Sequence, residues 1–320
     1  MLISGIASLI LSSKELNLIK HHYQEKLRCL IRIQPRTPRC VVYFLAGSLP
    51  GSALVHLRQL TLFGMICRLH GNILHTHANN LFSAKTISKK SWFHQVRNLC
   101  LLYDLPHPSL LLEAKYGKST FKMMIKKKIF NFYEQKLREE ASNLPSLSYF
   151  HPEYMTLLKP HPLFTTAGFS PYKVAMSSVQ AIMLSGRYRC GHLTRHWSKT
   201  ETGHCSLSSR CVDKIDDLPH ILRHCPALSS VRANLYDYTL DYTAALPNDV
   251  RSLILFHCDT RSPSFCVFLL DCSCLPDVII LVQKYGSDIL KNIFEVTRTW
   301  TFTLHRERLK LLDRWSHVRL

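Results

Sequence analysis

Acidic residues are scarce in this sequence. The 320 residues include 22 Asp and Glu against 41 Lys and Arg, which gives a formal net charge of +19 with all 18 His neutral. Binding of a cationic surface to nucleic acid releases condensed counterions, so such an excess favours a polyanionic partner. We therefore expect the protein to bind RNA or single-stranded DNA, with target duplex DNA as a further candidate. The alternative is a soluble basic protein whose charge only solvates its surface.

Long apolar runs and a dense cysteine framework are also lacking. No stretch approaches the roughly 20 apolar residues that cross a bilayer. The apolar start at residues 1–11 has neither a basic segment before it nor a small-residue cleavage site after it. The 12 Cys are scattered rather than regularly spaced, which favours a reducing compartment. We expect an intracellular protein, nuclear or cytoplasmic, that uses no membrane and no small-molecule substrate.

Apolar residues recur at helical spacing through most of the chain, and 46% of all residues are hydrophobic, enough for packed cores. We predict helices over residues 13–33, 52–75, 89–102, 119–142, 171–185, 249–257, 276–290 and 290–315, with Ser13 as the N-cap of the first. The β-branched and aromatic run at 41–46 predicts a short strand. The expected fold class is mainly α, with helical segments around a small Cys/His zinc knuckle and few short strands.

Composition divides the chain into five predicted segments. Residues 1–80 are helical, 81–144 are helical and basic, 145–171 form a Pro-rich linker, 172–235 hold a Cys/His region, and 236–320 are helical again. Because Pro removes a backbone donor and interrupts helices, the linker is the strongest candidate for a boundary.

Three Cys and one His stand close together in the Cys/His region, in the spacing Cys205-x5-Cys211-x8-His220-x4-Cys225. Three thiolates and an imidazole can close a tetrahedral shell around one zinc ion, and a shell filled by protein leaves no position for a reactive water. The spacing therefore predicts one structural zinc. His204 and His224 lie beside these residues and could substitute in the shell. The alternative is a set of ordinary buried Cys and His residues.

Two basic stretches are candidates for contact with phosphates. The first is an acid-free lysine run on a predicted helix: Lys115, Lys118, Lys122, Lys126, Lys127 and Lys128. Spacing of four places Lys118, Lys122 and Lys126 on one helical face, which suits contact with a phosphate backbone. A solvated helical face is the alternative.

The second basic stretch directly precedes the cysteines. Arg187, Arg189, Arg195 and Lys199 alternate there with Tyr188, His192, His196 and Trp197. Aromatic rings can stack on unpaired bases while guanidinium groups contact the backbone, so the mixture suits RNA or single-stranded DNA. The alternative is that the aromatic residues pack the Cys/His region onto the preceding helix, and for Trp197 we favour packing.

Several of these residues also carry a resemblance to a known family. The matching runs are Arg187-Tyr188-Arg189, Arg195-His196-Trp197-Ser198, the cysteines, and His220-Ile221-Leu222-Arg223-His224-Cys225-Pro226; further matches are Phe44-Leu45-Ala46-Gly47-Ser48-Leu49-Pro50 with Leu57-Arg58-Gln59-Leu60, Arg298-Thr299-Trp300, and His305-Arg306-Glu307-Arg308. Together these runs resemble the carboxyl-terminal region of LINE-type (non-LTR) retrotransposon reverse transcriptases, from the helices after the polymerase thumb through a zinc knuckle. The resemblance spans most of the chain and implies a nucleic-acid-binding region of an RNA-directed DNA polymerase.

The catalytic carboxylates of that family are not matched. Its palm holds two metal ions on carboxylates, whereas the one adjacent acidic pair here, Asp216-Asp217, stands between the cysteines. We expect a truncated, non-catalytic fragment. A residual metal-dependent nuclease using Asp277 and Asp288 is a weaker alternative, since both read as surface acids at helix starts. A zinc-stabilised protein-interaction scaffold is the main alternative from another class.

Overall fold

The computed structural model describes residues 5–84, 88–195, 203–211 and 213–318, and the described chain is predominantly α-helical. Its α-helices are α1 Ser13–Ile31, α2 Arg39–Ala46, α3 Gly51–Ile66, α4 Ile73–Ser83, α5 Trp92–Leu102, α6 Pro108–Glu113, α7 Lys118–Ser142, α8 Pro162–Thr165, α9 Pro171–Leu184, α10 Gly191–Thr194, α11 Ser229–Thr243, α12 Asn248–Cys258, α13 Phe265–Asp271, α14 Pro276–Tyr285 and α15 Asp288–Val318. Among these residues, β pairing is limited to one isolated antiparallel bridge between His204 and Ile215. The predicted mainly α class is confirmed.

The chain forms two compact units. The first unit comprises residues 1–27, 47–140 and 157–159, and the second comprises 28–46, 141–156 and 160–320. The first unit carries 18 Lys and Arg against 7 Asp and Glu, and the second carries 23 against 15. The five segments predicted from composition divide the chain more finely, and they stay a prediction.

In the first unit, helices α3 to α7 pack around an aromatic and aliphatic core. Phe121 and Ile125 lie one turn apart on the buried face of α7, and Phe63 of α3 meets Phe82 of α4 edge to face. A Cβ atom at Gly64 would stand 2.1 Å from the Phe121 ring. Glycine at this position therefore permits the close approach of α3 and α7.

In the second unit, the long helix α15 packs against α9, α11, α13 and α14. Trp300, at the centre of α15, is fully buried, donates its indole N–H to the Thr239 hydroxyl at 2.9 Å, and meets Phe265 edge to face. Arg298 is also fully buried, and its guanidinium donates to the Thr166 hydroxyl at 2.9 Å. These partners explain how α15 can bury polar side chains at its core.

The predicted strand at residues 41–46 is wrong, because these residues lie in helix α2. The side chains from Cys40 to Leu45 are all buried. A helix satisfies its own backbone hydrogen bonds, whereas a buried strand requires a neighbouring strand. Burial on all sides thus outweighs the strand preference of Val41, Val42 and Tyr43.

Other helix boundaries also differ from the prediction. The helix predicted at 52–75 is two helices, since Gly71 has a φ of 79° and the Asn72 side chain caps α4 by accepting from Leu74 N at 2.9 Å. The first helix is capped by Ser12, which exchanges hydrogen bonds with Glu15 in a capping box. Helices α11 and α13 were not predicted, and Gly286 ends α14 before residue 290.

In the described part of the chain, no single helix is long and apolar enough to cross a membrane. Two pairs of consecutive helices have the required length and composition when taken together, but each pair is bent at its junction.

Candidate metal centre

Four buried side chains of the second unit converge on one point. One ligand atom from each of Cys205, Cys211, His220 and Cys225 lies within 4.8 Å of the other three. The Cys225 sulfur is 3.9 Å from both the Cys205 and the Cys211 sulfur atoms. This cluster could hold one metal ion. The four residues are the set predicted from the spacing, whereas His204 and His224 are exposed and stand outside the cluster.

A short hairpin positions the first two thiols. Backbone hydrogen bonds run from Cys205 N to Lys214 O at 2.8 Å and from Asp216 N to Gly203 O at 3.0 Å. Between them a 3₁₀ turn, Ser209–Cys211, brings the second thiol back over the first. The hairpin therefore converts the five-residue spacing into proximity.

A π-helical turn, His220–His224, positions the other two groups. The Asp217 carboxylate accepts the His220 N–H at 2.8 Å, and Cys225 N donates to His220 O at 2.7 Å. The wider turn places the imidazole and the Cys225 thiol, five residues apart, on one side of the chain. Such π turns occur frequently at functional sites.

The electrostatics of the cluster favour a bound cation. A hydrogen bond from the Cys205 thiol lowers the pKa of Cys225 to about 5, and the same contact raises the pKa of Cys205. Burial raises the pKa of Cys211. Nε2 of His220 is buried and has no hydrogen-bond partner among the described residues. A thiolate beside an unpartnered imidazole nitrogen is the arrangement expected of metal ligands.

Arg232 of α11 supports the cluster. Its side chain is buried and donates to the Cys225 carbonyl at 2.6 Å. Three thiolates and a neutral imidazole around a divalent cation leave one net negative charge, which a neighbouring guanidinium offsets. No local pattern marks this role, because Arg232 lies outside the spacing of the four residues in the cluster.

A buried ion pair joins the hairpin to α15. Arg308 donates to the Asp216 carboxylate at 2.7 Å and to the Arg189 carbonyl at 3.1 Å, and both charged side chains are almost fully buried. Sequence reasoning noted Asp216 only as a carboxylate in the wrong context for a polymerase. Its partner is 92 residues away, so no local pattern could reveal the pair.

In the segment before the hairpin, Tyr188 packs against α15. The ring is buried, its hydroxyl hydrogen-bonds His305 Nδ1 at 2.9 Å, and the Arg308 guanidinium lies over its face at 5.6 Å. Tyr188 therefore packs within the second unit, which agrees with the packing alternative for this residue. A Cβ atom at Gly186, whose φ is 63°, would stand 2.0 Å from Ser146 O, so a side chain there would displace this segment.

The predicted phosphate contacts occupy different surroundings. Arg189 and Arg195 are exposed, while Arg187 is half-buried with its Nε enclosed. Lys199, together with His196 and Trp197, lies outside the described residues. The structure therefore leaves two of the three described arginines open to a ligand.

The lysine face of the first unit is formed by Lys118, Lys122 and Lys126 of α7. All three side chains are exposed, and none makes an ion pair with a residue that the structure describes. Lys126 lies over the Phe130 ring at 5.3 Å, whereas Lys128 is paired with Asp104 at 2.6 Å. The three lysines thus form a row of exposed cations without an acidic partner among the described residues.

The two acids of the nuclease alternative sit at helix starts. Asp277 lies in the first turn of α14 and Asp288 in the first turn of α15, both with exposed side chains. Asp288 pairs with Lys291 at 2.7 Å. Neither belongs to the group of potential metal ligands found among the described residues.

No protein-family model, curated protein or solved structure matches this chain.

Proposed function

We propose that this protein is a non-catalytic region derived from the carboxyl-terminal part of a LINE-type reverse transcriptase, and that it binds single-stranded nucleic acid through a surface organised by one structural zinc ion. The observation that carries the proposal is the buried cluster of Cys205, Cys211, His220 and Cys225. It lies inside the segment that bears the resemblance.

Zinc is favoured by the ligand chemistry and by the spacing of the sulfur atoms. Three soft thiolates with one imidazole suit zinc, and a tetrahedral shell with Zn–S bonds of about 2.3 Å has an S···S edge of about 3.8 Å. The observed separations of 3.9 Å agree with that edge. Four protein ligands complete the shell, so the ion's role is to hold the hairpin and the π turn together.

Nucleic acid is favoured by the charge on both units. Exposed Arg189 and Arg195 precede the hairpin, and the three exposed lysines form the face on α7. Positive charges without acidic partners gain most from releasing the counterions of a phosphate backbone. Two of the runs that bear the resemblance also meet in the second unit, where Arg308 donates to the Arg189 carbonyl at 3.1 Å.

Binding of a labelled single-stranded RNA across a series of salt concentrations tests this proposal. Each phosphate contact contributes about 0.7 to the slope of log affinity against log salt for single strands. Replacing Arg187, Arg189 and Arg195 with Gln should lower the slope by about 2 if all three engage, and by less if half-buried Arg187 does not. An unchanged slope in a folded triple variant would remove this segment from the binding surface.

A protein-interaction scaffold is the second candidate, and exposed apolar side chains in the first unit favour it. Ile73 is 81% exposed, Leu101 is 69% exposed and Met123 is 64% exposed. Exposed apolar side chains suit a protein partner where they form a contiguous patch. Binding to RNA without salt dependence, or no binding, would favour the scaffold.

The proposal assigns no polymerase chemistry to the chain. Primer extension on an RNA template by the purified protein, if abolished by replacement of a single carboxylate, would contradict it.

A further inference from the structure

A cavity of about 580 Å³ lies within the second unit, beside the hairpin that carries Cys205 and Cys211. This hairpin, from Gly203 to Asp216, is called the metal hairpin below. Its walls include α9, α15, residues of the segment from Tyr188 to Thr194 and the two arms of the hairpin, and they do not include a metal ligand. Ligand-binding pockets commonly have volumes of roughly 300–1,000 Å³. The cavity is thus large enough for one nucleotide.

One wall is aliphatic. Val179 and Ile182 of α9 line it together with Leu309 and Leu312 of α15. Apolar side chains can pack against the faces of a base once it is unstacked from its neighbours. A base in a duplex is stacked on both faces and paired at its edge, so it cannot enter.

The polar part of the lining carries both signs of charge. It comprises Arg189, His204, Asp216 and Arg308, and Arg308 is on the same helix as Leu309 and Leu312. Arg308 is held by Asp216 and by a backbone carbonyl, whereas Arg189 extends an exposed side chain. An arginine at the margin suits a phosphate, because its guanidinium can donate two parallel hydrogen bonds.

Asp216 fixes the polar part of the lining. Its Oδ2 accepts from Arg308 at 2.7 Å and from Gly191 N at 2.6 Å. These two hydrogen bonds hold the Arg308 guanidinium and the start of α10 in place beside the cavity.

We propose that this cavity binds one unstacked nucleotide, with the base against the aliphatic wall and the phosphate on Arg189. The inference rests on the proposed nucleic-acid binding and goes further, since it names the element that distinguishes single strands from duplexes. The nucleotide can come from a strand or from a free mononucleotide, and the test separates these sources.

The test fills the cavity and measures three ligands with the full chain: adenosine monophosphate, a single-stranded oligoadenylate and an RNA duplex of equal length. Val179→Phe and Leu309→Trp each add bulk at the lining. Val282→Phe on α14 is the matched control, since Val282 is also half-buried but does not line the cavity. Circular dichroism checks that every variant is folded, and Leu309→Trp changes an already exposed side chain.

Both filling variants should weaken binding of the single strand by roughly 5- to 100-fold, the range expected for loss of one base contact. Duplex binding and the control variant should stay unchanged. A parallel loss of adenosine monophosphate binding shows that free nucleotides also enter; a loss for the strand alone shows that the nucleotide must belong to a chain. Both results support binding of a nucleotide in the cavity.

Arg189→Gln provides the second arm, with Arg210→Gln as its control. Arg210 is an exposed arginine of the hairpin and does not line the cavity. Arg189→Gln should weaken the single strand more than Arg210→Gln does. Unchanged single-strand affinity in both filling variants would overturn the inference about the cavity. If the wild-type protein still binds the strand in a salt-dependent way, the proposed function is unaffected by that result. Absence of any nucleic-acid binding by the wild-type protein would overturn both.

Discussion

The metal hairpin and the lysine face of α7 use charge in opposite ways. In and around the hairpin, three charged side chains are buried and each has a partner: Asp216 pairs with Arg308, and Arg232 donates to the Cys225 carbonyl. On α7, Lys118 and Lys122 point to solvent without an acidic partner among the described residues. Buried charges specify a structure, whereas exposed ones are free to meet a ligand.

The difference in burial determines how much each charged side chain contributes to the free energy of unfolding. A buried charge that loses its partner keeps its desolvation cost, so its removal destabilises the fold. An exposed charge is screened by water and salt and contributes little to folding. The hairpin should therefore respond to substitution through stability, and the lysine face through binding alone.

The largest expected effect is loss of the metal. Chelation, or the double substitution Cys211→Ser with Cys225→Ser, should remove one zinc per chain and unfold residues 203–228, because thiolates without the cation cannot hold the hairpin closed. Metal analysis and hydrogen exchange measure this. The exposed thiol Cys29 offers the control Cys29→Ser. Full zinc occupancy in the double variant would contradict the assigned ligands.

The ion pair between Asp216 and Arg308 should give the next effect. Arg308→Leu leaves a buried carboxylate unpaired, and we expect a loss of about 3–5 kcal/mol in the free energy of unfolding. Lys310→Leu is the control, since Lys310 pairs with Glu307 on the exposed side of the same helix and such pairs contribute about 0–1 kcal/mol. Urea denaturation measures both. Equal effects of the two substitutions would show that the buried pair has no special role.

A buried polar pair in the first unit tests whether burial also controls stability there, because one of its members can be protonated as the pH falls. His56 Nδ1 lies 2.6 Å from the Tyr103 hydroxyl, and burial lowers the pKa of His56 to about 4. The unfolded chain, with a His pKa of about 6.5, binds the proton more readily, so stability should fall as the pH falls from about 6.5 to about 4, by about 3 kcal/mol in total.

Hydrogen exchange of α3 between pH 7.5 and pH 4 measures this loss. Comparison with His56→Gln removes the contributions of other titrating groups, because the variant lacks the ionisable ring. If wild type and variant lose protection equally over this range, His56 is not the responsible group.

The ligand set could be predicted from the sequence because its four members lie in one short segment. Local turns alone bring Cys205, Cys211, His220 and Cys225 together, so their spacing contains most of the information. The partners Asp216 and Arg308, and Tyr188 with His305, could not be predicted in this way. They meet only through the packing of α15, and nothing in either local sequence marks the other.

Helix content followed from periodicity, but two local signals were misread. The run at residues 41–46 has the composition of a strand, yet it is buried on all sides in helix α2. Helix α13, Phe265–Asp271, is short and almost entirely buried, so it has no polar face to show a helical period. In both segments tertiary burial, which the sequence does not display, decided the structure.

The smallest effect on stability is expected at the lysine face. Replacing Lys118, Lys122 and Lys126 with Gln should change the free energy of unfolding by less than about 0.5 kcal/mol per site, because surface substitutions of this kind are nearly neutral. Removal of like charges at a spacing of four should slightly favour the helix. Yet the same variant should lower the salt slope of single-strand binding by about 2, at about 0.7 per contact. Lys128→Gln is the matched control, since Lys128 is on the same helix but is paired with Asp104. Melting temperature and salt-dependent binding together decide the case: a destabilised triple variant, or one with an unchanged slope, would show that the contrast between the lysine face and the hairpin does not hold.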